Sequence, residues 1–353
     1  MPPLFAALAA AVLASAAQPE LTPDPRLTRA AQALAEACAA AGDLSPLRHG
    51  HAVRLEVTRA GAMVAEPQVA AVIAKDSERG RKRLLERIAA HGQLRPTHVG
   101  IGQARLAGGD HAVVALFGRV SVEWDREVPA EVPRETHLRL RGRLLGGLRH
   151  PQVHVVPPGG VPVRLPIRRE GEWFEADLYL VTRGRTVLEV MGVGAQGPEV
   201  ALLTEIYVGE PLPSTAQAVE EEERPRDAAE MRAELDRLRG RRGLPPLRPD
   251  PVLERVARAY AEELLARERF GHVSPESGKI GDRLRRAGYE FRVAGENLGE
   301  GPSPAVAHRA IVQSPAHLAA ILEPRFESIG IGVAQSDTPG RMRTVVVHVL
   351  ATP

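Results

Sequence analysis

With 353 residues, 44% hydrophobic and 25% charged, the chain has the length of roughly two or three globular domains and the charge content of an ordinary soluble protein. A formal net charge of +2, with no stripe of Lys and Arg interleaved with aromatics, argues against a dedicated nucleic-acid binder. The single cysteine, Cys38, cannot close a disulfide within the chain, so an apolar core is expected to hold each domain.

Leu4 to Leu13 form a short apolar run, followed by the small residues Ala14-Ser15-Ala16-Ala17 and the polar Gln18-Pro19-Glu20. This is the pattern of an export signal over residues 1–17, with cleavage expected near Ala16 or Ala17. The run is shorter than the roughly 20 apolar residues that span a bilayer, and no comparable stretch follows. A secreted or periplasmic mature chain without a transmembrane segment is therefore expected. Cys38 falls in Ala37-Cys38-Ala39 on a predicted helix, away from the cleavage point, and does not read as a lipid anchor.

Residues 21–123 open with Asp24-Pro25-Arg26-Leu27, a helix start, and later carry Val99-Gly100-Ile101-Gly102, a Gly108-Gly109-Asp110 turn and the β-rich Val113 to Phe117. From 128 to 210 short runs alternate apolar with polar, as in Phe174, Ala176, Leu178 and Leu180, punctuated by Pro157-Pro158-Gly159-Gly160, Glu170-Gly171 and Arg183-Gly184. That spacing suits an immunoglobulin-like β-sandwich, and the absence of a His, Cys and carboxylate cluster suits a spacer or interaction domain. Residues 211–227, with Glu220 to Glu223 in a row and prolines on both sides, read as a charged linker.

The last part of the chain, 228–352, carries the chemistry. Leu253, Val256, Ala257, Tyr260, Ala261 and Leu264 recur at helical spacing behind the N-cap Asp250 and Pro251, so the spacing predicts a helix from Pro251 to Arg267. It ends near Phe270-Gly271 and leaves His272 in a loop. Ala294-Gly295-Glu296-Asn297-Leu298 reads as a turn. Ala305 to Val312 and Ala316 to Leu322 read as two short helices, the second capped by Ser314 with His317 in its first turn, where the helix dipole favours a neutral imidazole. His308 is expected on a helix surface and His348 in a strand. Taken singly, a histidine beside Ser-Pro is more often a capping or solvated group than a ligand. The joint order is what makes His272, Glu296 and His317 candidates for one site.

That order, Phe270-Gly271-His272, Gly295-Glu296-Asn297, Ser314-Pro315-Ala316-His317 and Ile329-Gly330-Ile331-Gly332, resembles the bacterial branch of the CAP superfamily, the cysteine-rich secretory, antigen 5 and pathogenesis-related 1 proteins, also called SCP domains. Gly243-Leu244-Pro245-Pro246-Leu247 and Asp250-Pro251 extend the likeness upstream, to about residues 228–352. The resemblance implies a CAP-type α-β-α sandwich within an α+β multidomain chain, and a secreted protein that binds a lipid, a cell-wall component or another extracellular protein. Asp236 stands where the family usually has Asn, Ile311 where it has Trp, and Ser314 near where eukaryotic relatives place a second cavity glutamate.

Two imidazoles and one carboxylate can hold Zn2+ or another divalent ion, and the same groups beside Ser314 can bind a polar head group or sugar with no metal. Hydrolysis of a peptide or ester bond by a metal-dependent site is the alternative. Ser314 is a helix cap without a nucleophile-elbow context, so a binding protein is preferred over an enzyme. No cofactor is fixed by the sequence.

The two ends of the chain also resemble each other. Asp24 to Gly100 is a step of 76 residues and Asp250 to Gly330 one of 80. A degenerate copy of the same fold is therefore expected over 21–123, with Ala65-Glu66-Pro67 a faint echo of Gly295-Glu296-Asn297 and the other cavity motifs missing.

Overall fold

The computed structural model describes residues 21–48, 50–76, 79–80, 82–84, 96–214, 225–267, 269–336 and 343–353. The expected export signal and the centre of the expected linker lie outside the described residues.

The first unit runs β1 (Thr22–Pro23), α1 (Pro25–Ala41), α2 (Gly50–Arg59), β2 (Ala65–Ala74), β3 (His98–Arg105) and β4 (His111–Arg119). The Asp24 carboxylate accepts from the backbone N–H of Arg26 and Leu27, and Pro25 follows at the first helical position, where a missing N–H costs nothing. The sheet order is β1-β3-β4-β2, with β1 parallel to β3 and the other pairs antiparallel. α1 lies directly on β3: a Cβ on Gly100 would meet the Leu27–Thr28 backbone at 2.1 Å, and one on Gly102 would meet the Gln32 backbone N at 2.3 Å. Only glycine allows that approach. Leu27, Ala31 and Leu34 bury against Val114 and Leu116, which makes the helix-facing core.

The middle unit comprises β5 (Val122–Trp124), β6 (Glu131–Val132), β7 (Thr136–Leu144), β8 (Arg149–Val156), β9 (Val163–Leu165), β10 (Arg168–Glu170), β11 (Trp173–Leu180), β12 (Gly184–Gly194) and β13 (Gly197–Val208). They form a sheet of order β10-β11-β7-β5 and another of order β6-β13-β12-β8-β9. Alternate residues of each, such as Leu140, Phe174 and Leu178 from the first and Val153, Leu188 and Ile206 from the second, share one core. The period of two in the sequence is thus the inward-outward alternation of the strands.

The last unit runs α3 (Ala228–Gly240), β14 (Arg248–Pro249), α4 (Pro251–Ala266), α5 (Ile280–Arg286), β15 (Val293–Gly301), α6 (Pro304–Gln313), α7 (Pro315–Ile321), β16 (Ser328–Gln335) and β17 (Thr344–Thr352). Its sheet order is β14-β16-β17-β15, again with a parallel first pair. Every residue of β17 is buried. On one face Val345, Val347 and Val349 pack with Leu253 and Tyr260 of α4, and on the other Val346 and Leu350 pack with Met231 and Leu235 of α3 and Ile311 of α6. A strand covered on both sides explains the unbroken apolar run that the sequence shows there.

Two expectations are corrected. Gly295-Glu296-Asn297 is not a turn but part of β15, with Glu296 opposite Val349 and Asn297 opposite His348. Gly295 serves a close approach instead of a chain reversal, since a Cβ there would meet the Phe326 ring at 2.8 Å. His308 is not on a helix surface but fully buried between α6 and β17. Among the described residues no helix is long and apolar enough to cross a membrane.

Candidate functional site

His272 follows α4 in a loop that the middle unit holds in place. The backbone N–H of His272 donates to Gln196 O at 2.9 Å, and the hydroxyl of Tyr260 on α4 donates to Gly271 O at 2.5 Å. The ring then meets β15: His272 Nδ1 lies 3.0 Å from Glu296 Oε1. Glu296, with only 2% of its side chain exposed, gives its other oxygen to the Arg283 guanidinium of α5 at 2.5 Å. Arg283 stacks over the Tyr260 ring, 3.4 Å from its centroid, and donates to Gly278 O. A buried carboxylate is tolerable here because both its oxygens are satisfied by strong donors.

His317 stands in the first turn of α7, as expected. Its backbone N–H donates to Ser314 Oγ and its carbonyl accepts from Asn297 Nδ2 at 3.2 Å, so the Gly-Glu-Asn segment holds both histidines, one by side chain and one by main chain. Burial pushes the His317 imidazole down to about 3, with the neighbouring His272 a second cause, so the ring is neutral.

Ser314 also reaches the middle unit. Its hydroxyl donates to Glu189 Oε1 at 2.6 Å, and the Ala316 N–H donates to Glu189 Oε2 at 2.8 Å. Glu189 comes from β12 of the middle unit and is fully buried. Burial pushes its carboxyl up to about 7, against the two hydrogen bonds that favour the charged form. The start of α7, and with it His317, is thus fastened by a carboxylate from another unit.

His272 and His317 line a cavity of about 820 Å3 whose walls come from all three units. The last unit adds Glu300 and Arg343, the middle unit Gln196 and Glu199, and the first unit Glu66 and Arg119. Arg343 grips Glu300 with two nitrogens at 2.9 and 2.8 Å, and Arg119 pairs with Glu199 at 2.5 Å. The exposed Glu66 side chain makes no hydrogen bond or ion pair to the described residues and sits on a left-handed backbone (φ 47°).

Of the four residues singled out by sequence, the structure brings His272 and Glu296 into contact, sets His317 beside His272 on the cavity wall, and turns Ser314 to Glu189. Glu296 is not among the residues that line the cavity but stands behind His272. As a divalent-metal site the set does not fit, because His272 and Arg283 occupy both oxygens of Glu296, and no group of three or more His, Cys, Asp or Glu among the described residues is arranged to hold an ion. Arg283, Asn297 and Glu189 escaped sequence reasoning. Asn297 belongs to the Gly295-Glu296-Asn297 motif but carries no site role in the sequence pattern, and nothing in the local pattern marks Arg283 or Glu189.

Residues 233–349 match the family described as CAP, the cysteine-rich secretory protein family. An uncharacterized protein, YkwD, of Bacillus subtilis is 34% identical over 99 residues, which cover 28% of this chain and 38% of that protein. The uncharacterized membrane protein YlbC of the same organism is 31% identical over 100 residues, 27% of this chain and 28% of that protein. The chain thus spans well under half the length of either relative. Among solved structures, an outer surface protein of Borrelia burgdorferi is 23% identical with a TM-score of 0.31, covering 35% of this chain and 89% of that one. An extracellular protein containing an SCP domain from Bacillus anthracis is 16% identical with a TM-score of 0.31, covering 66% and 86%.

Proposed function

Since residues 233–349 are a CAP domain, we propose that the chain is a secreted binding protein whose ligand enters the cavity shared by the three units. The observation that carries this is the wall composition: two histidines, one of them neutral, face arginine, glutamate and glutamine side chains across about 820 Å3. Such walls favour a ligand rich in hydroxyls and amides, a cell-wall component or a polar peptide segment, over a lipid acyl chain that would strip water from charged groups and return no hydrogen bonds. Binding is favoured over hydrolysis because Ser314 is committed to Glu189 and Glu296 to Arg283, which leaves neither as an activated nucleophile on the cavity wall.

In this proposal the first unit is a degenerate copy of the CAP fold, and the middle unit is an immunoglobulin-like module. Both act as walls of the cavity rather than as separate binding domains. The supporting features are the shared strand order of the two outer sheets and the two-sheet core between them. Export would follow from the signal-like residues 1–17.

Co-sedimentation of the purified full chain with insoluble peptidoglycan tests the proposal, with His317→Ala and the Glu66→Gln/Arg119→Ala double variant beside it. Retention of the parent and roughly tenfold weaker retention of both variants is expected, about the 1.4 kcal/mol of one lost hydrogen bond. Equal retention of all three removes the cavity as the binding site, and recovery on phospholipid vesicles instead points to a lipid.

A further inference from the structure

Two charged side chains on the cavity wall make no hydrogen bond to the described residues. Arg343 holds Glu300 with two nitrogens and Arg119 holds Glu199 at 2.5 Å, so those four charges cancel in pairs. His272 is taken by Glu296, and burial keeps His317 neutral. What remains on the wall is Glu66 from the first unit and Arg269 from the last.

Each of the two is presented from a fixed backbone. Glu66 sits on β2 at the register shift between Ala65 and Gln68, which pair with Arg119 and Phe117 of β4, and its left-handed conformation is costly for a residue with a Cβ. Its side chain is exposed on the cavity wall. Arg269 follows α4, where its backbone N–H donates to Leu264 O at 3.1 Å and its carbonyl accepts from Arg343 Nη2 at 3.0 Å, while its side chain is 48% exposed. The nearest carboxylate among the described residues, that of Glu276, lies 3.9 Å from the guanidinium, beyond hydrogen-bond reach, and Arg267 already takes its other oxygen at 2.6 Å.

A charge on a concave wall gains most from a ligand charge of opposite sign held against it, because the two exclude water from each other. The Glu66 carboxylate only accepts, so it calls for an ammonium, whereas the planar guanidinium of Arg269 calls for a carboxylate, which it can hold with two N–H groups. The two side chains do not pair with each other, so a ligand that satisfies both must span the space between them. We propose that the cavity takes a zwitterionic ligand, an amino acid or short peptide with a free ammonium and a free carboxylate, the ammonium on Glu66 and the carboxylate on Arg269. The inference rests on the cavity being the binding site and narrows its occupant from polar ligands in general to those that bring both charges. It also gives the first unit a task of its own, since that unit supplies the acceptor for the ammonium.

Titration of the 15N-labelled full chain with linear ω-amino acids, from glycine to aminoundecanoate, tests the assignment without knowledge of the span, each probe being run beside its N-acetyl and its carboxamide form. At the best-fitting length the zwitterion is expected to bind roughly tenfold tighter than either capped form, with amide shifts at both Glu66 and Arg269. Glu66→Gln should lose only the preference over the N-acetyl form, and Arg269→Gln only the preference over the carboxamide. Neither side chain is hydrogen-bonded to the described residues, so both variants should keep the parent's dispersed spectrum. No discrimination at any length overturns the proposal, and so does a discrimination that the two variants do not divide in this way. Such a failure beside cavity-dependent peptidoglycan retention leaves the cavity standing as the binding site. The expected discrimination beside equal retention of parent and cavity variants on peptidoglycan removes the cell wall as the ligand and leaves the charge assignment standing.

Discussion

The first and last units solve one packing problem in the same way and then part company at the cavity. Asp24 and Asp250 each cap the next two backbone N–H groups, and each donates its own N–H to the neighbouring strand, to Val99 O at 2.9 Å and Ile329 O at 3.0 Å. Gly100 presses on the Leu27 backbone as Gly330 presses on that of Leu253. Aligning these glycines carries the register across both sheets. Gly100 pairs with Leu116, which pairs with Val69, while Gly330 pairs with Val349, which pairs with Glu296. Val69 therefore occupies the position of Glu296, and one step along Ala70 and Ala115 stand where Asn297 and His348 do. Glu66, the expected echo of Glu296, is not its counterpart. It sits where the β2–β4 register shifts, and there it turns into the shared cavity. The packing device and the polar constellation are separable: the first unit has the device without the constellation.

The middle unit fastens to its two neighbours by opposite electrostatics. Toward the first unit it presents Glu205, which burial raises but which the His51 hydrogen bond and the charges of Arg185, His51 and Arg54 outweigh, bringing it down to about 2. Toward the last unit it presents Glu189, which has no cation beside it among the described residues and which burial raises to about 7.

The largest expected effect falls on the constellation that only the last unit has. Arg283→Ala leaves the buried Glu296 charge uncompensated and should cost roughly 3–5 kcal/mol in denaturant unfolding. Adding Glu296→Val, the residue of the first unit, should restore part of that stability; no recovery would mean that Val69 and Glu296 are not equivalent positions. Next come the shared glycines. Gly100→Ala and Gly330→Ala each force a Cβ into helix backbone and should each cost about 3 kcal/mol, the upper end of overpacking. A loss in only one of them breaks the likeness between the units.

The two fastenings differ in sign with pH. Glu189 has a folded pKa above its unfolded value, so its contribution is present in acid and is lost as pH rises through about 7, at no more than about 1.4 kcal/mol per pH unit. Glu205 has a depressed folded pKa, so its contribution is present above the ordinary carboxylate range and is lost as pH falls toward about 2. Unfolding curves from pH 5 to 9 should show a decline that Glu189→Gln abolishes, and a decline that survives this substitution assigns it elsewhere. The smallest effect is expected from the caps: Asp24→Ala and Asp250→Ala should each cost about 1 kcal/mol.

Much of this was legible in local pattern. The Asp-Pro helix starts, the Gly-x-Gly strands, Ser314 as the cap of α7 and the alternating strands of the middle unit all follow from neighbours within a few residues in sequence, where propensity acts. The site was legible only as a membership. His272, Glu296 and His317 were named, but their division of labour depends on Arg283 and on Glu189, the latter reaching across 125 residues to Ser314. Gly-Glu-Asn is turn chemistry, and the close packing of Phe326 over Gly295 in β15 overrides that propensity. Histidine on a helix is more often exposed, and the groups beside the buried His308 are distant in sequence, His348 40 residues on and Glu234 on α3.

The central claim is that one cavity is shared by three units, and amide hydrogen exchange of the full chain with and without soluble peptidoglycan fragments tests it most directly. Slowed exchange is expected together at three separate segments: around Glu66 and Gln68, around Gln196 to Glu199, and around Gly271, His272 and His317. Protection confined to the last of these, or lying outside all three, would contradict the claim.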